Sequence, residues 1–119
     1  MNPASNGLKI TEQDGISRVD FIERNILDEA NIQQIGAAIG AVVEASARPR
    51  ILICFENVEH LSSAALGALI TVNTKVKARD GQLRLSDIRP QILEVFRITR
   101  LDRLFEIHGT ADEAMATFG

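Results

Sequence analysis

The chain has 119 residues, a formal net charge of −3 and 45% apolar side chains, which predicts one domain with a single core. The acidic balance and the lack of Trp and Tyr argue against nucleic acid or an anionic membrane as a partner. No apolar run is long enough to span a bilayer, the amino terminus lacks a signal-peptide apolar segment, and the single Cys54 cannot form an internal disulfide. These features predict a cytoplasmic protein without direct membrane insertion, and they leave its oligomeric state open.

The amino-terminal third predicts a β-hairpin followed by a helix. Residues 8–13 and, in part, residues 16–22 alternate apolar and polar side chains on either side of Asp14-Gly15, a two-residue hairpin signal. Asp28 then precedes a segment whose apolar residues recur at steps of three and four, so we expect Asp28 to cap a helix. Residues 1–6 before the hairpin are predicted to be a flexible leader, which leaves residues 7–119 as the domain.

The centre of the chain predicts a buried strand and a second helix. Residues 51–55 form a nearly continuous apolar run, which is typical of a strand covered on both faces. Ser62 and Ser63 open an Ala-rich stretch that predicts a helix from about Ser62 to Ala78. A hydroxyl at such a position is usually an N-cap, but a helix start also favours added negative charge such as a phosphoryl group. From these residues alone, both a simple N-cap and a phosphorylation site remain possible interpretations.

The carboxyl-terminal third completes an alternating pattern. Residues 82–86 predict a strand, Asp87 is expected to cap the next helix, and residues 103–107 predict the last strand. Thr110 and Glu113 then form a capping-box pattern. The resulting order, β-β-α-β-α-β-α-β-α, predicts an α/β fold with a mixed, mostly parallel sheet of about five strands and about four helices.

Signals for catalysis and for metal binding are weak. The sequence has no phosphate-binding Gly-rich loop, and Ser63 is not framed as a nucleophile elbow. Only His60 and His108 offer a histidine base, and one Cys with two separated His does not supply a metal site. We therefore expect no enzyme activity, no metal and no cofactor. Two basic clusters are predicted to be helix-end charge and a solvated face, respectively: Lys75/Lys77/Arg79 and Arg97/Arg100/Arg103.

The chain resembles the STAS domain, the family of bacterial anti-sigma factor antagonists. The resemblance covers residues 8–118 and is carried by four segments, at residues 51–58, 62–69, 77–85 and 98–105. Ser63 falls at the phosphoacceptor position of the family motif Asp-Ser-Ser/Thr/Ala-Gly-Leu-Gly. The chain departs from that motif at Ser62, where the family has Asp, and at Ala65, where it has Gly. The resemblance implies a single STAS-type domain.

The resemblance also implies a function in partner switching during a bacterial stress response. The protein would bind an anti-sigma factor that is also a serine kinase and so release the sigma factor. The kinase, carrying ATP and Mg²⁺, would phosphorylate Ser63 (Ser62 is the less favoured acceptor) and end the binding, and a serine phosphatase would reset the switch. The implied partner-binding residues are Asp28, Glu59, His60, Leu61, Ser62, Ser63, Ala64, Leu66 and Gly67.

The same family implies an alternative of a different class. STAS-like domains also serve as scaffolds or as regulatory subunits of signalling complexes and transporters, without phosphorylation. In that case the face of the second helix would hold a partner, and Ser63 would only help to start the helix.

Overall fold

The computed structural model describes residues 8–118, so the predicted leader over residues 1–6 lies outside the described residues. The strands are β1 (Leu8–Gln13), β2 (Ile16–Phe21), β3 (Asn25–Ile26), β4 (Arg50–Cys54), β5 (His60–Leu61), β6 (Gln82–Ser86) and β7 (Glu106–His108). The helices are α1 (Glu29–Glu44), α2 (Ser63–Ala78), α3 (Pro90–Ile98) and α4 (Ala111–Met115), and a short 3-10 helix covers Leu101–Arg103.

Five of the strands form one mixed sheet in the order β1-β2-β4-β6-β7. Only the β1–β2 pair is antiparallel, and the other three pairings are parallel. Asp14 and Gly15 join β1 to β2 with positive φ angles of 54° and 77°, as a tight hairpin turn requires. The prediction of a mostly parallel five-stranded sheet with four helices is therefore confirmed.

The main core lies between one face of the sheet and helices α1, α2 and α3. Val19, Ile51 and Ile53 project from the strands into this core. Leu52 and Cys54 project from β4 to the opposite face, where α4 covers them in a smaller cluster. Because β4 is the middle strand and both of its faces are covered, its apolar residues run without interruption.

Two predictions near the carboxyl end are wrong. The N-cap of α3 is Arg89, with no side-chain hydrogen bond, whereas Asp87 adopts a left-handed conformation (φ 59°) and accepts a 2.8 Å hydrogen bond from Ser86 Oγ. The last strand does not begin at residue 103. Arg100 ends α3 at a φ of 62°, and the N–H of Phe105 still donates to Leu101 O, so the backbone becomes extended only at β7.

Candidate functional site

The first turn of α2 lies at the edge of the sheet where the parallel strands end. β4 ends at Cys54, and the chain returns as α2 after a loop whose Val58 is fully buried. The N–H of Phe55 donates to Ser86 O at 3.0 Å, which ties the beginning of this loop to the end of β6. Ligands and partners of open α/β sheets commonly bind at this carboxyl edge.

A two-stranded ladder holds the backbone just before α2. β3 pairs with β5 in parallel, with Asn25 opposite His60 and Ile26 opposite Leu61. The N–H of Ser62 then donates to Ile26 O at 3.1 Å. The segment leading into α1 therefore lies beside the segment leading into α2, which brings Asp28 and the start of α2 to the same surface.

The two serines at this helix start have different environments. Ser62 is the N-cap, half-buried, and its Oγ accepts a hydrogen bond from the N–H of Ala65 at 3.2 Å. Ser63 is the first residue of the helix and is exposed. Within the described part of the chain, its hydroxyl has no hydrogen-bond partner. One serine thus stabilises the helix, and the other presents a hydroxyl to solvent.

The remaining residues of the predicted partner surface divide by exposure. His60, Ala64 and Gly67 are exposed. Asp28 is also exposed, and its carboxylate caps α1 by accepting from the N–H of Ala30 at 3.3 Å, as predicted. Glu59 and Leu61 are half-buried, whereas Leu66 is only 7% exposed and packs in the main core.

Leu27 is an exposed apolar residue at this surface and is not among the predicted partner-binding residues. Its side chain is 55% exposed, and it directly follows Ile26, whose carbonyl accepts from Ser62. Exposed apolar side chains become informative when they adjoin a candidate contact surface. Leu27 could be placed at this surface only from its position after the β3–β5 ladder. Strands of two residues show no periodic pattern in the sequence, so the ladder itself could not be predicted.

The charge around the helix start is predominantly acidic. Asp28 and Glu29 are exposed at the beginning of α1, and Glu59 lies in the paired segment before α2. Arg24 Nη1 is 3.8 Å from Glu59 Oε2, but its side chain is 76% exposed, so this ion pair contributes little. Basic groups are therefore the better electrostatic complement of these three carboxylates.

The described residues offer little reactive chemistry. Burial, partly offset by the Ser86 hydrogen bond, raises the pKa of the Cys54 thiol to about 11, so Cys54 is a poor nucleophile. No group of three or more His, Cys, Asp or Glu side chains among residues 8–118 is arranged to hold a metal ion. In the same range, no helix is long and apolar enough to cross a membrane.

Comparison with known proteins identifies the class to which this fold and helix start belong. The chain is 26% identical over 95 residues to the Bordetella bronchiseptica protein named "Putative anti-sigma factor antagonist BtrV", covering 80% of this chain and 81% of that one. It is 26% identical to the crystal structure of an anti-sigma factor antagonist from Mycobacterium paratuberculosis, with a TM-score of 0.81 and coverage of 93% and 92%.

A more distant structure has the same fold. The Bacillus cell fate determinant SpoIIAA in its phosphorylated form aligns with a TM-score of 0.71 at 19% identity, covering 92% of this chain and 96% of that one. The family model for the STAS domain matches residues 8–114. The chain belongs to the STAS domain family.

Proposed function

We propose that this protein is a non-enzymatic anti-sigma factor antagonist that acts in the cytoplasm and is controlled by phosphorylation of Ser63. The observation that carries the proposal is an exposed hydroxyl without a described partner at the first residue of a 16-residue helix. The relatives named as anti-sigma factor antagonists support it. The docking surface, called here the Ser63 surface, consists of Leu27, Asp28, His60, Ser63, Ala64 and Gly67.

The shape and charge of the Ser63 surface favour close protein–protein contact. Ala64 and Gly67 are small and exposed on α2, so a partner backbone can approach the helix closely. Leu27 supplies exposed apolar area to the surface, and Asp28 supplies negative charge. We expect the anti-sigma factor to present an apolar or acidic surface opposite Ser63 and basic groups only opposite Asp28.

Phosphorylation of Ser63 disrupts this contact, because it places negative charge against an apolar or acidic partner surface. A serine kinase would transfer the γ-phosphoryl group of its ATP to Ser63 Oγ. A phosphorus–oxygen bond forms at Ser63 as the bond to ADP breaks, and the hydroxyl proton is released. The product carries up to about two negative charges. In a docked complex this charge must be desolvated next to surfaces matched to a neutral hydroxyl, so the complex weakens.

The fold itself should tolerate the modification. The start of α2 carries the positive end of the helix dipole, which stabilises an anion. Ser62 keeps its cap hydrogen bond to the N–H of Ala65, and Ser63 Oγ has no bond to a described residue that would be lost. Phosphorylation is therefore expected to act on partner binding, with the domain still folded. A serine phosphatase would restore the unmodified surface.

Calorimetric titration with the cognate anti-sigma factor tests the proposal. Wild type and Ser63→Ala should bind with similar affinity, whereas Ser63→Asp should bind at least about tenfold more weakly, a change of about 1.4 kcal/mol. Thr74→Asp is the matched control, because Thr74 is exposed about three turns further along α2 and this substitution adds the same charge. Tight binding by Ser63→Asp would contradict the charge mechanism.

Two further measurements separate the alternatives. Incubation with the kinase, ATP and Mg²⁺ should add one phosphoryl group to wild type and none to Ser63→Ala, as read by intact mass. A pull-down from the source organism should recover an anti-sigma factor. Recovery of a transporter or scaffold subunit instead, with no modification of Ser63, would favour a regulatory STAS subunit without phosphorylation.

A further inference from the structure

A second surface lies at the opposite edge of the sheet from Ser63. There the end of α2 and the starts of β6 and β7 enclose an open cleft of about 380 Å³. Its lining includes Asn73, Lys77, Arg84, Arg103, Leu104 and Glu106. Lys77 and Arg103 belong to the two basic clusters that were predicted to be helix-end charge and a solvated face, respectively. The cleft and Ser63 thus occupy opposite ends of one helix.

Asn73 is the unusual member of this cleft. It lies on α2 and is only 5% exposed, yet its side-chain amide forms no hydrogen bond to another residue of the described chain. Buried amides are almost always hydrogen-bonded, because losing water without a replacement is unfavourable. No fully buried side-chain N or O atom of the described residues lacks a hydrogen-bond partner, so the Asn73 amide remains accessible from the cleft that it lines. Water or a ligand in the cleft can therefore hydrogen-bond to it.

The charged side chains of the cleft leave an excess of positive charge. Arg84 Nε is 2.6 Å from Glu106 Oε2, and His108 Nε2 lies 2.9 Å from the same oxygen, so Glu106 is already neutralised. Lys77 and Arg103 have no ion pair to any residue in the described range. Two cations without ion-pair partners among the described residues therefore face an open volume that the amide of Asn73 also lines.

We propose that this cleft binds a small phosphorylated organic molecule. The phosphate would lie between the Lys77 ammonium and the Arg103 guanidinium, whose planar donor fork matches phosphate oxygens. A polar group of the ligand would hydrogen-bond to Asn73. Its apolar part would pack on Leu104, which is 38% exposed, and on the adjoining edge of Phe105. The volume is within the range of small-molecule sites.

NMR titration of the isotopically labelled protein tests this proposal with two probes, inorganic phosphate and phenyl phosphate. Both should produce saturable shifts of the Asn73 side-chain amide and of the Leu104 backbone amide. Phenyl phosphate should bind more tightly, because only it can use the apolar wall. Lys77→Gln and Arg103→Gln should each weaken binding about tenfold, the effect of one charge-assisted contact.

Control variants exclude non-specific attraction to basic residues. Lys75→Gln removes a cation from the same part of α2 but outside the cleft, and Arg97→Gln removes one that already pairs with Glu94 at 3.1 Å. Neither should change the affinity. Asn73→Leu should weaken phenyl phosphate binding while circular dichroism shows an unchanged fold; if that variant does not fold, the Lys77 and Arg103 variants decide alone.

Several results would overturn the inference. Shifts that grow linearly without saturation would mean that no site exists, and equal weakening by Lys75→Gln would mean that only general charge is sensed. Acetate binding as tightly as phosphate would refute the assignment to phosphate. These titrations use neither kinase nor anti-sigma factor, so their outcome is separate from that of the proposed function.

Discussion

Replacing the two serines at the start of α2 one at a time should separate stability from signalling. Ser62→Ala deletes the oxygen that accepts from the N–H of Ala65 at 3.2 Å, and the loss of such an N-cap lowers the free energy of unfolding by about 1 kcal/mol. Ser63→Ala deletes a hydroxyl that has no partner among the described residues and adds a better helix former, which changes stability by less than about 0.5 kcal/mol. The two variants should therefore differ by about 1 kcal/mol.

Urea unfolding followed by circular dichroism is the suitable assay, since the chain has no Trp or Tyr to report by fluorescence. Ser62→Asp serves as the rescue variant, because a carboxylate also caps a helix and suits its positive end. It should unfold at a urea concentration close to that of wild type. Equal destabilisation by Ser62→Ala and Ser63→Ala, or a larger effect at Ser63, would refute the assignment of separate roles.

Three further predictions concern backbone space, thiol reactivity and pH. A Cβ at Gly81 would lie 2.3 Å from Pro49 O, whereas a Cβ at Gly67 would meet nothing within 4 Å. In urea unfolding, Gly81→Ala should therefore lower the free energy of unfolding by about 1–3 kcal/mol, and Gly67→Ala should raise it by about 0.5–1 kcal/mol. The reverse order would contradict this packing. Cys54, only 2% exposed and with its pKa raised to about 11, should react with iodoacetamide only as fast as the protein opens, and a fast native-state reaction would disprove its burial. The pKa of Glu106 lies below its ordinary value of 4.5, mainly because of the hydrogen bond between Glu106 and His108. The contribution of ionised Glu106 to folding stability is therefore complete above pH 4.5, and it is lost as the pH falls through the pKa of the folded state. The stability advantage of wild type over Glu106→Gln, about 0.5 kcal/mol for an exposed pair, should narrow between about pH 5 and pH 3, and a constant difference would contradict the linkage.

The main elements could be predicted because their signals are local. The Asp14-Gly15 turn, the Asp28 cap and the Thr110–Glu113 capping box each depend on residues within a few positions of one another, and all three are present in the structure. The boundary of α2 at Ser62 was likewise visible as a hydroxyl before an Ala-rich run. Short-range hydrogen bonds and turn chemistry are readable from residue types alone.

The errors occur where distant contacts override local preference. Asp87 has the residue type of an N-cap, but the Ser86 hydroxyl donates to its carboxylate and Arg89 takes the cap position instead. The ladder of β3 and β5 joins segments more than thirty residues apart through two residue pairs. Such a short pairing leaves no periodic pattern in the sequence from which it could be predicted. Leu27 was overlooked for the same reason, because its neighbourhood with Ser62 exists only through that ladder.

The candidate site was partly readable from sequence. The helix start at Ser62 and Ser63 came from a motif and its position, but the motif could not tell which hydroxyl is engaged. The structure separates them by one hydrogen bond, from the N–H of Ala65 to Ser62 Oγ. The cleft around Asn73 could not be predicted, because its burial and its lack of a partner depend on how α2 meets the beginnings of β6 and β7.

The central claim is that charge added at one exposed hydroxyl of α2 controls partner binding. The most direct measurement is the dissociation constant of the anti-sigma factor complex for fully phosphorylated protein and for the unmodified protein, prepared side by side. We expect phosphorylation at Ser63 to weaken the complex by at least about tenfold, with unchanged circular dichroism. Equal affinity of the two forms would contradict the claim.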